Sequence, residues 1–512
     1  VGVFDPGVAG MDTTASVTSA NTSAPVVTVT GEAAGDVNMY FFLKAGTNSI
    51  PGWYPITAVD TSAHTYTLNA TVGAVVLTNY TRNTAVGCAS SGTTLSSVTW
   101  AVDFSQTTGN ITTGTASSAA TTLTATTGIF RKPMIGNGAT NGTNWVVITA
   151  FTSSTVVTID SSPTWVAQSI SIGGALASPG KAGSLMVAGN DLFIKSGSNY
   201  TVTSASSNVA GGCLTLPASA SNSNVVWCMG YQTVRGDNGT KPIIKSDGVI
   251  TTFTLITTAS TANVINVEVD GNSRTSSRGV NVVGNSYVRL CTGRNCTNSA
   301  FNGAATSFAE RCYATTCSTV SAFNGISSIG CVADGNSITG FTLVGGFCSF
   351  CISSNNSGGS SDGFVQGGEN YFTNCTAYTN GRDGLRGLNT TVAMVCLNSI
   401  SYNNSGSQFN AAAAVDNVSL INCACVSGGV NANITNRYSS TMVTIAADPF
   451  TNAAGGDFSL NNAATGGALC RNSGIPGAMP GLASTTGFLS LGAVQPKVYL
   501  LPLIGNEELI AV

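Results

Sequence analysis

The sequence predicts an all-β chain: a right-handed parallel β-helix solenoid preceded by two small duplicated β modules. Three observations carry this expectation. Only 8% of the 512 residues are charged, while Thr, Val, Ser, Asn and Gly are abundant, so helix formers such as Glu and Lys are scarce. Two similar Thr/Val-rich segments stand near the start of the chain. From about 210 to 430 the sequence then repeats with a period near 20–24 residues.

Residues 1–170 read as the duplicated modules. APVVTVTG (24–31), GWYPITAV (52–59) and TYTLNA (65–70) are strand-like, bounded by Gly, Asn and Asp. NWVVITAF (144–151) repeats the second and TVVTID (155–160) the third, with Trp53 and Trp145 placed 92 residues apart. The spacing predicts two superposable antiparallel units joined by residues 78–120. Between 171 and 195 the reading is a short helix interrupted near Pro179, then a strand over Leu192–Ile194. Such a helix would hide the apolar end of a solenoid.

The periodic region defines columns. Val267, Cys291, Cys312, Cys331, Cys351, Cys375, Cys396 and Cys423 form one series. Two residues on come Val269, Gly293, Ala314, Ala333, Ser353, Ala377, Asn398 and Cys425, mostly small. Five on come Asn272, Cys296, Cys317, Asn336, Asn356 and Asn380, expected in a tight turn where left-handed backbone is tolerated. About ten on come Phe301, Phe323, Phe341, Phe364 and Leu385, expected as an aromatic stack. There is no LxxLxL frame, so a leucine-rich repeat does not fit. Three short strands per coil, with coils about 4.8 Å apart, do. Some 220 residues at this period give about eight to ten coils. The solenoid is assigned to 171–445 and a C-terminal closing segment to 446–512.

GDNGTKPIIKSDG (236–248) and NCTAYTNGRDGL (374–385) resemble right-handed β-helix proteins of the pectate-lyase-like class. DPFTNAAGGDFSLN (448–461) and GFLSLGAVQP (487–496) resemble the closing segments of β-helix proteins found in bacteriophage virions, as spikes or fibres, and on bacterial surfaces. The resemblance implies the fold. For activity it leaves lyases, hydrolases, adhesins and inert fibres open.

The net charge of −3 excludes the basic stripe of a nucleic-acid binder. No apolar run approaches 18 residues, so no membrane span is expected. No secretory signal opens the chain at Val1, a leader having been removed or not included. The single histidine, His64 in DTSAHT, reads as a surface turn and cannot supply a multi-histidine centre. Cys291-x4-Cys296 and Cys312-x4-Cys317 are one coil apart and read as stacked thiols rather than a zinc site, so no metal and no cofactor is expected. Cys296 and Cys317, in equivalent turns, are the pair placed to form a disulfide and the first expected to react.

The remaining chemistry is carboxylate. Asp362 and Asp383 precede Gly-Phe and Gly-Leu at the same place in successive coils, which would set them about 5 Å apart, the separation of a retaining glycosidase pair. Glu369, Arg382 and Arg386 lie close in sequence as candidate sugar-binding groups. An Asp-Gly turn is the plainer reading of both acids, as it is of Asp270 and Asp334. The functions left open are a structural or receptor-binding virion protein, a polysaccharide lyase or glycosidase, and a bacterial surface adhesin. The virion or cell surface is the expected location. Partners would be copies of itself, a trimer by analogy with spike-like β-helices, other virion proteins reached through residues 1–170, and polysaccharide.

Overall fold

The computed structural model describes residues 12–17, 26–29, 37, 39–47, 52–68, 77–78, 81–82, 95–103, 112–141, 145–173, 183, 186, 191–197, 199–202, 212–218, 225–232, 238–247, 253–388, 391–411, 418–434, 442–475 and 489–494. The chain divides into two compact units, Val1–Ala177 and Ser178–Val512.

The first unit holds two closed six-stranded barrels. The two barrels match in register. In the first barrel Gly52–Asp60 pairs antiparallel with Thr65–Leu68, with a bulge between Ile56 and Ala58. In the second, Trp145–Ser153 pairs with Val156–Ile159, with a bulge between Ile148 and Ala150. The bulges fall on the same residues of the repeat, so Trp53 and Trp145 occupy equivalent strand positions. A bulge tightens strand twist, which helps so few strands close. The expected joining segment is corrected. Leu95–Asp103 pairs with Tyr40–Thr47 inside the first barrel, and Thr112–Ala119 pairs with Gln168–Ile172 inside the second. The barrels share one apolar core in which Phe41, Tyr66 and Trp100 pack ring against ring.

The second unit is the solenoid. Its strands form three parallel sheets of ten, eleven and nine strands. The first sheet begins at Asp191–Lys195, the second at Asn199–Val202 and the third at Gly212–Thr215. The capping helix expected near 171–190 lies largely outside the described residues. Parallel crossovers are right-handed, and the β-helix follows that rule.

From Asn266 onward, each coil passes from the first sheet to the second through a single left-handed residue. Asn266, Leu290, Arg311, Gly330, Phe350, Asn374, Asn398 and Asn422 hold φ between 49° and 59°. One such residue redirects the chain without breaking either ladder. The residue after it points inward, which gives Cys291, Cys312, Cys331, Cys351, Cys375 and Cys423, all buried.

This register corrects part of the sequence reading. Thr376 pairs with Ile400, and Ile400 with Ala424, so the column runs Cys375, Ser399, Cys423. Cys396 lies in the first sheet, between Phe372 and Leu420. Asn398 is the left-handed residue itself, and Ser401 takes the small-residue position opposite Ala377. Inward thiols occur in both sheets, so residue type alone did not separate the two columns.

The second turn, from second sheet to third, is also displaced from expectation. Asn272 is left-handed as anticipated, at φ 53°, but on the following coils the left-handed residues are Asn295, Thr316, Gly335, Asn355, Thr379 and Asn403, one place earlier than anticipated. The next residue points inward. Asn336, Asn356, Asn380 and Asn404 form a buried amide ladder with Nδ2···Oδ1 distances of 2.7–2.9 Å. Asn272 stands outside this ladder, with Nδ2 on the Ser246 carbonyl. On the third sheet the aromatic column holds as expected. Phe301, Phe323, Phe341 and Phe364 are fully buried and stack at 5.0, 4.6 and 4.9 Å.

Residues 446–475 and 489–494 run along the side of the solenoid. Phe450, Phe458, Cys470 and Leu491 pack on Ile400 and Ala424, against the outer face of the second sheet.

Candidate functional site

Alternation along the third-sheet strands puts Phe364 and Leu385 inside. Two residues before them, at the strand entry on the outer side, stand Asp362 and Asp383. The paired strands Phe364–Gln366 and Leu385–Gly387 set these acids on neighbouring coils. Arg386 follows Leu385, so alternation directs it outward. Arg382 is carried by the turn that enters the strand.

The four residues form one cluster. Arg382 Nε donates to Asp362 Oδ1 at 2.7 Å, and its Nη2 donates to Oδ2. The Asp383 amide also donates to Asp362 Oδ1, at 3.1 Å. Arg386 Nη1 lies 3.6 Å from Asp362 Oδ2, and its Nε lies 3.9 Å from Asp383 Oδ2. Asp383 Oδ1 accepts from the Ser407 amide at 2.8 Å, and Oδ2 from Asn410 Nδ2 at 2.6 Å. Every carboxylate oxygen therefore has a protein donor. Exposure decides the orientation: the acid side chains are 1% and 4% exposed, whereas Arg382 and Arg386 are 34% and 20% exposed. The acids are sealed beneath the guanidiniums. Hydrogen bonding to Asp362 holds the Arg382 guanidinium above its ordinary pKa, against the opposing effect of burial.

The cluster brings together Asp362, Asp383, Arg382 and Arg386. Glu369 stands apart: it is exposed in the bend beyond the far end of the Phe364–Gln366 strand and makes no ion pair among the described residues. Carboxylates held in this way brace the turn and present arginine N–H groups outward. Asp270 and Asp334 act similarly. Asp270 accepts from Asn295 Nδ2 at 3.0 Å, and Asp334 accepts from Ser354 Oγ and Asn355 Nδ2 at 2.7 and 2.9 Å.

The expected placement of Cys296 and Cys317 at a reactive turn surface is corrected. Cys296 and Cys317 are free and fully buried. They face inward in the same column as the amide ladder, with the Cys317 amide donating to Asn336 Oδ1 at 2.9 Å. Inward side chains of neighbouring coils stack above one another in this column. The Cys317 thiol and burial push the Cys296 pKa well up.

A second cluster lies on the outer face of the first sheet. Tyr287 and Phe308 stack at 5.6 Å, and Phe308 meets Phe347 at 5.9 Å. Ser327, opposite Phe308 in the coil between, leaves room for that contact. The Tyr287 hydroxyl donates to Glu310, which also pairs with Arg289 at 3.5 Å and Arg311 at 3.8 Å. Burial, followed by the Glu310 charge, drives the Tyr287 pKa upward. Tyr371 is half exposed in the same row. The signal was present in the sequence: an aromatic residue four places before Cys291, Cys312, Cys351 and Cys375. The forward offsets alone did not reveal it.

No family model matches the chain, and no curated protein matches it. Among solved structures the chain is similar to pectate lyase Pel9A, at 15% identity and TM-score 0.46, over 63% of this chain and 91% of that one. It is similar to a rhamnogalacturonan lyase at 15% identity and TM-score 0.41, over 53% and 84%. A third likeness is ORF18 of Geobacillus virus E2, at 13% identity and TM-score 0.33, over 49% and 51%. Such likenesses concern the fold alone, and the strand pairing establishes that fold independently: the chain is a parallel β-helix protein preceded by two β barrels.

Proposed function

We propose that this chain is a structural virion protein of the spike or fibre kind that binds surface glycans without cleaving them. One observation carries the reading. Asp362 and Asp383, the acids placed in register on adjacent coils, have all four oxygens taken by protein donors and lie beneath Arg382 and Arg386. A glycosidase acid must reach the glycosidic oxygen, and its partner must reach the sugar ring or a water. Sealed carboxylates do neither. Outward guanidinium groups can still donate to sugar hydroxyls or carboxylates. In this reading residues 1–170 attach the protein to other virion components, and the β-helix faces outward as a homo-oligomer, with a trimer favoured.

The test is a polysaccharide panel assayed in parallel for retention and for release of reducing or unsaturated ends. Retention without release is expected, with weaker retention by an Arg382→Ala/Arg386→Ala variant. End release that disappears in Asp362→Asn would overturn the reading in favour of a lyase or glycosidase. Light scattering showing a stable monomer at micromolar concentration would remove the oligomer.

A further inference from the structure

We propose that residues 446–475 and 489–493 form a latch that docks on a rail of three asparagines and opens as a unit without unwinding the solenoid. The rail is the left-handed turn between the first and second sheets at Asn374, Asn398 and Asn422. Asn374 Nδ2 donates to the carbonyls of Ser490 and Gly492 at 3.1 and 3.5 Å. Asn398 Nδ2 donates to the Ile475 carbonyl at 3.2 Å, and its Oδ1 accepts from the Ile475 amide at 2.9 Å. Asn422 Nδ2 donates to the Ser473 carbonyl. The Gly492 amide reaches the Asn398 carbonyl at 2.8 Å, and the Ala493 amide reaches Thr376 Oγ1 at 2.9 Å.

Backbone geometry does not account for these asparagines. Leu290, Arg311 and Phe350 hold the same left-handed conformation in the same column, at φ 53°, 49° and 55°. Asparagine enters left-handed backbone more readily than those residues, yet the turn forms without it. What distinguishes the three coils is the segment lying across them. Asn266 follows the same logic: its Nδ2 donates to the carbonyls of Gly230 and Gly239.

The latch is also self-contained. Phe450–Asn452 and Asp457–Leu460 pair only with each other, and among the described residues no strand of 446–493 joins the three sheets. Its inner backbone bonds close on themselves, including Ala446 to Thr465, Gly474 to Leu489 and Leu491 to Cys470. Opening therefore breaks side-chain and turn bonds but no sheet ladder. It uncovers an apolar strip on the outer face of the second sheet, formed by Ile352, Tyr378, Ile400, Tyr402 and Ala424.

Native-state hydrogen exchange on the full chain tests this. The amides of Ile475, Leu491, Gly492 and Ala493 should exchange together, about tenfold or more faster than those of Phe323, Phe341 and Phe364. A triple Asn374→Gly/Asn398→Gly/Asn422→Gly variant keeps the turn geometry and should speed the latch amides by about a further tenfold while the phenylalanine amides hold their rate. Asn266→Gly should leave the latch amides unchanged. Exchange of latch and core at one rate in the wild-type chain would overturn the proposal whether or not the variant folds. So would a triple variant in which core and latch accelerate alike.

Discussion

Arg382 reaches back one coil to Asp362, with Nε 2.7 Å from Oδ1, and so ties consecutive turns of the third sheet through a charge pair that only one side exposes to solvent. The arrangement explains how a chain with few charges can keep two carboxylates almost wholly buried. Desolvating an acid is tolerated where an opposite charge and backbone donors replace the lost water.

Breaking that pair should cost stability. Breaking a buried pair typically costs 3–5 kcal/mol, and Arg382 is about one-third exposed, so Asp362→Asn should lose about 2 kcal/mol. Arg382→Ala should lose at least as much, because it leaves the buried carboxylate short of its main partner. Urea unfolding of each variant checks both values. A wild-type midpoint for Asp362→Asn would show that the pair is dispensable.

The phenylalanine stack should be the least forgiving apolar column. Phe341 is fully buried, between Phe323 at 4.6 Å and Phe364 at 4.9 Å. Phe341→Ala should cost about 3–5 kcal/mol, combining lost burial with the cavity left behind. Phe341→Leu should cost less, since more of the volume is refilled. Thermal melts of the two variants should rank in that order.

The amide ladder makes a related prediction for polar groups. Asn356 Oδ1 accepts from Asn336 Nδ2, and Asn356 Nδ2 donates to Asn380 Oδ1. Asn356→Ala removes both contacts and takes the acceptor from the buried Asn336 backbone amide, while Asn336 Nδ2 keeps the Ala314 carbonyl and Asn380 Oδ1 keeps Ser353 Oγ, so the loss should be about 1–3 kcal/mol. The urea midpoint should move by more than for Asn403→Ala, whose side chain lies outside the ladder and donates to Thr379 Oγ1 at the exposed turn surface.

Thiol chemistry should be silent in the folded protein. Burial raises Cys375 and Cys423 from their ordinary value near 9 to about 12. At pH 8 none of the described cysteines, Cys296 and Cys317 included, should react faster than the protein unfolds. The sign of the pH dependence follows. The folded state favours the neutral thiol, so this stabilisation is complete below pH 9 and is lost between about pH 9 and 12 as the unfolded chain ionises first. Thiol labelling under graded urea, and unfolding midpoints across that window, measure the two effects. Native-state labelling of Cys296 at a free-thiol rate would show that its column faces outward.

The sequence by itself determined the class of fold, the duplicated modules and the phenylalanine column. Those features rest on periodic spacing, and stacked coils repeat inward positions at nearly fixed intervals whatever lies outside them. It did not determine the register after Cys375. The next coil is 24 residues long, ending at Ser399, while Cys396 offered a plausible 21-residue step into a different sheet. Coil length changes in the turns, and both inward columns accept cysteine, so only the backbone pairing separates them. The acids show the same division. Spacing put Asp362 and Asp383 in register, but Arg382 and Arg386 folding over them is a side-chain event between coils, and that decided the acids would be sealed. The docking of residues 446–475 and 489–493 along Asn374, Asn398 and Asn422 lies furthest from sequence reading: it joins positions up to 118 residues apart, through amides that a local pattern assigns to turns.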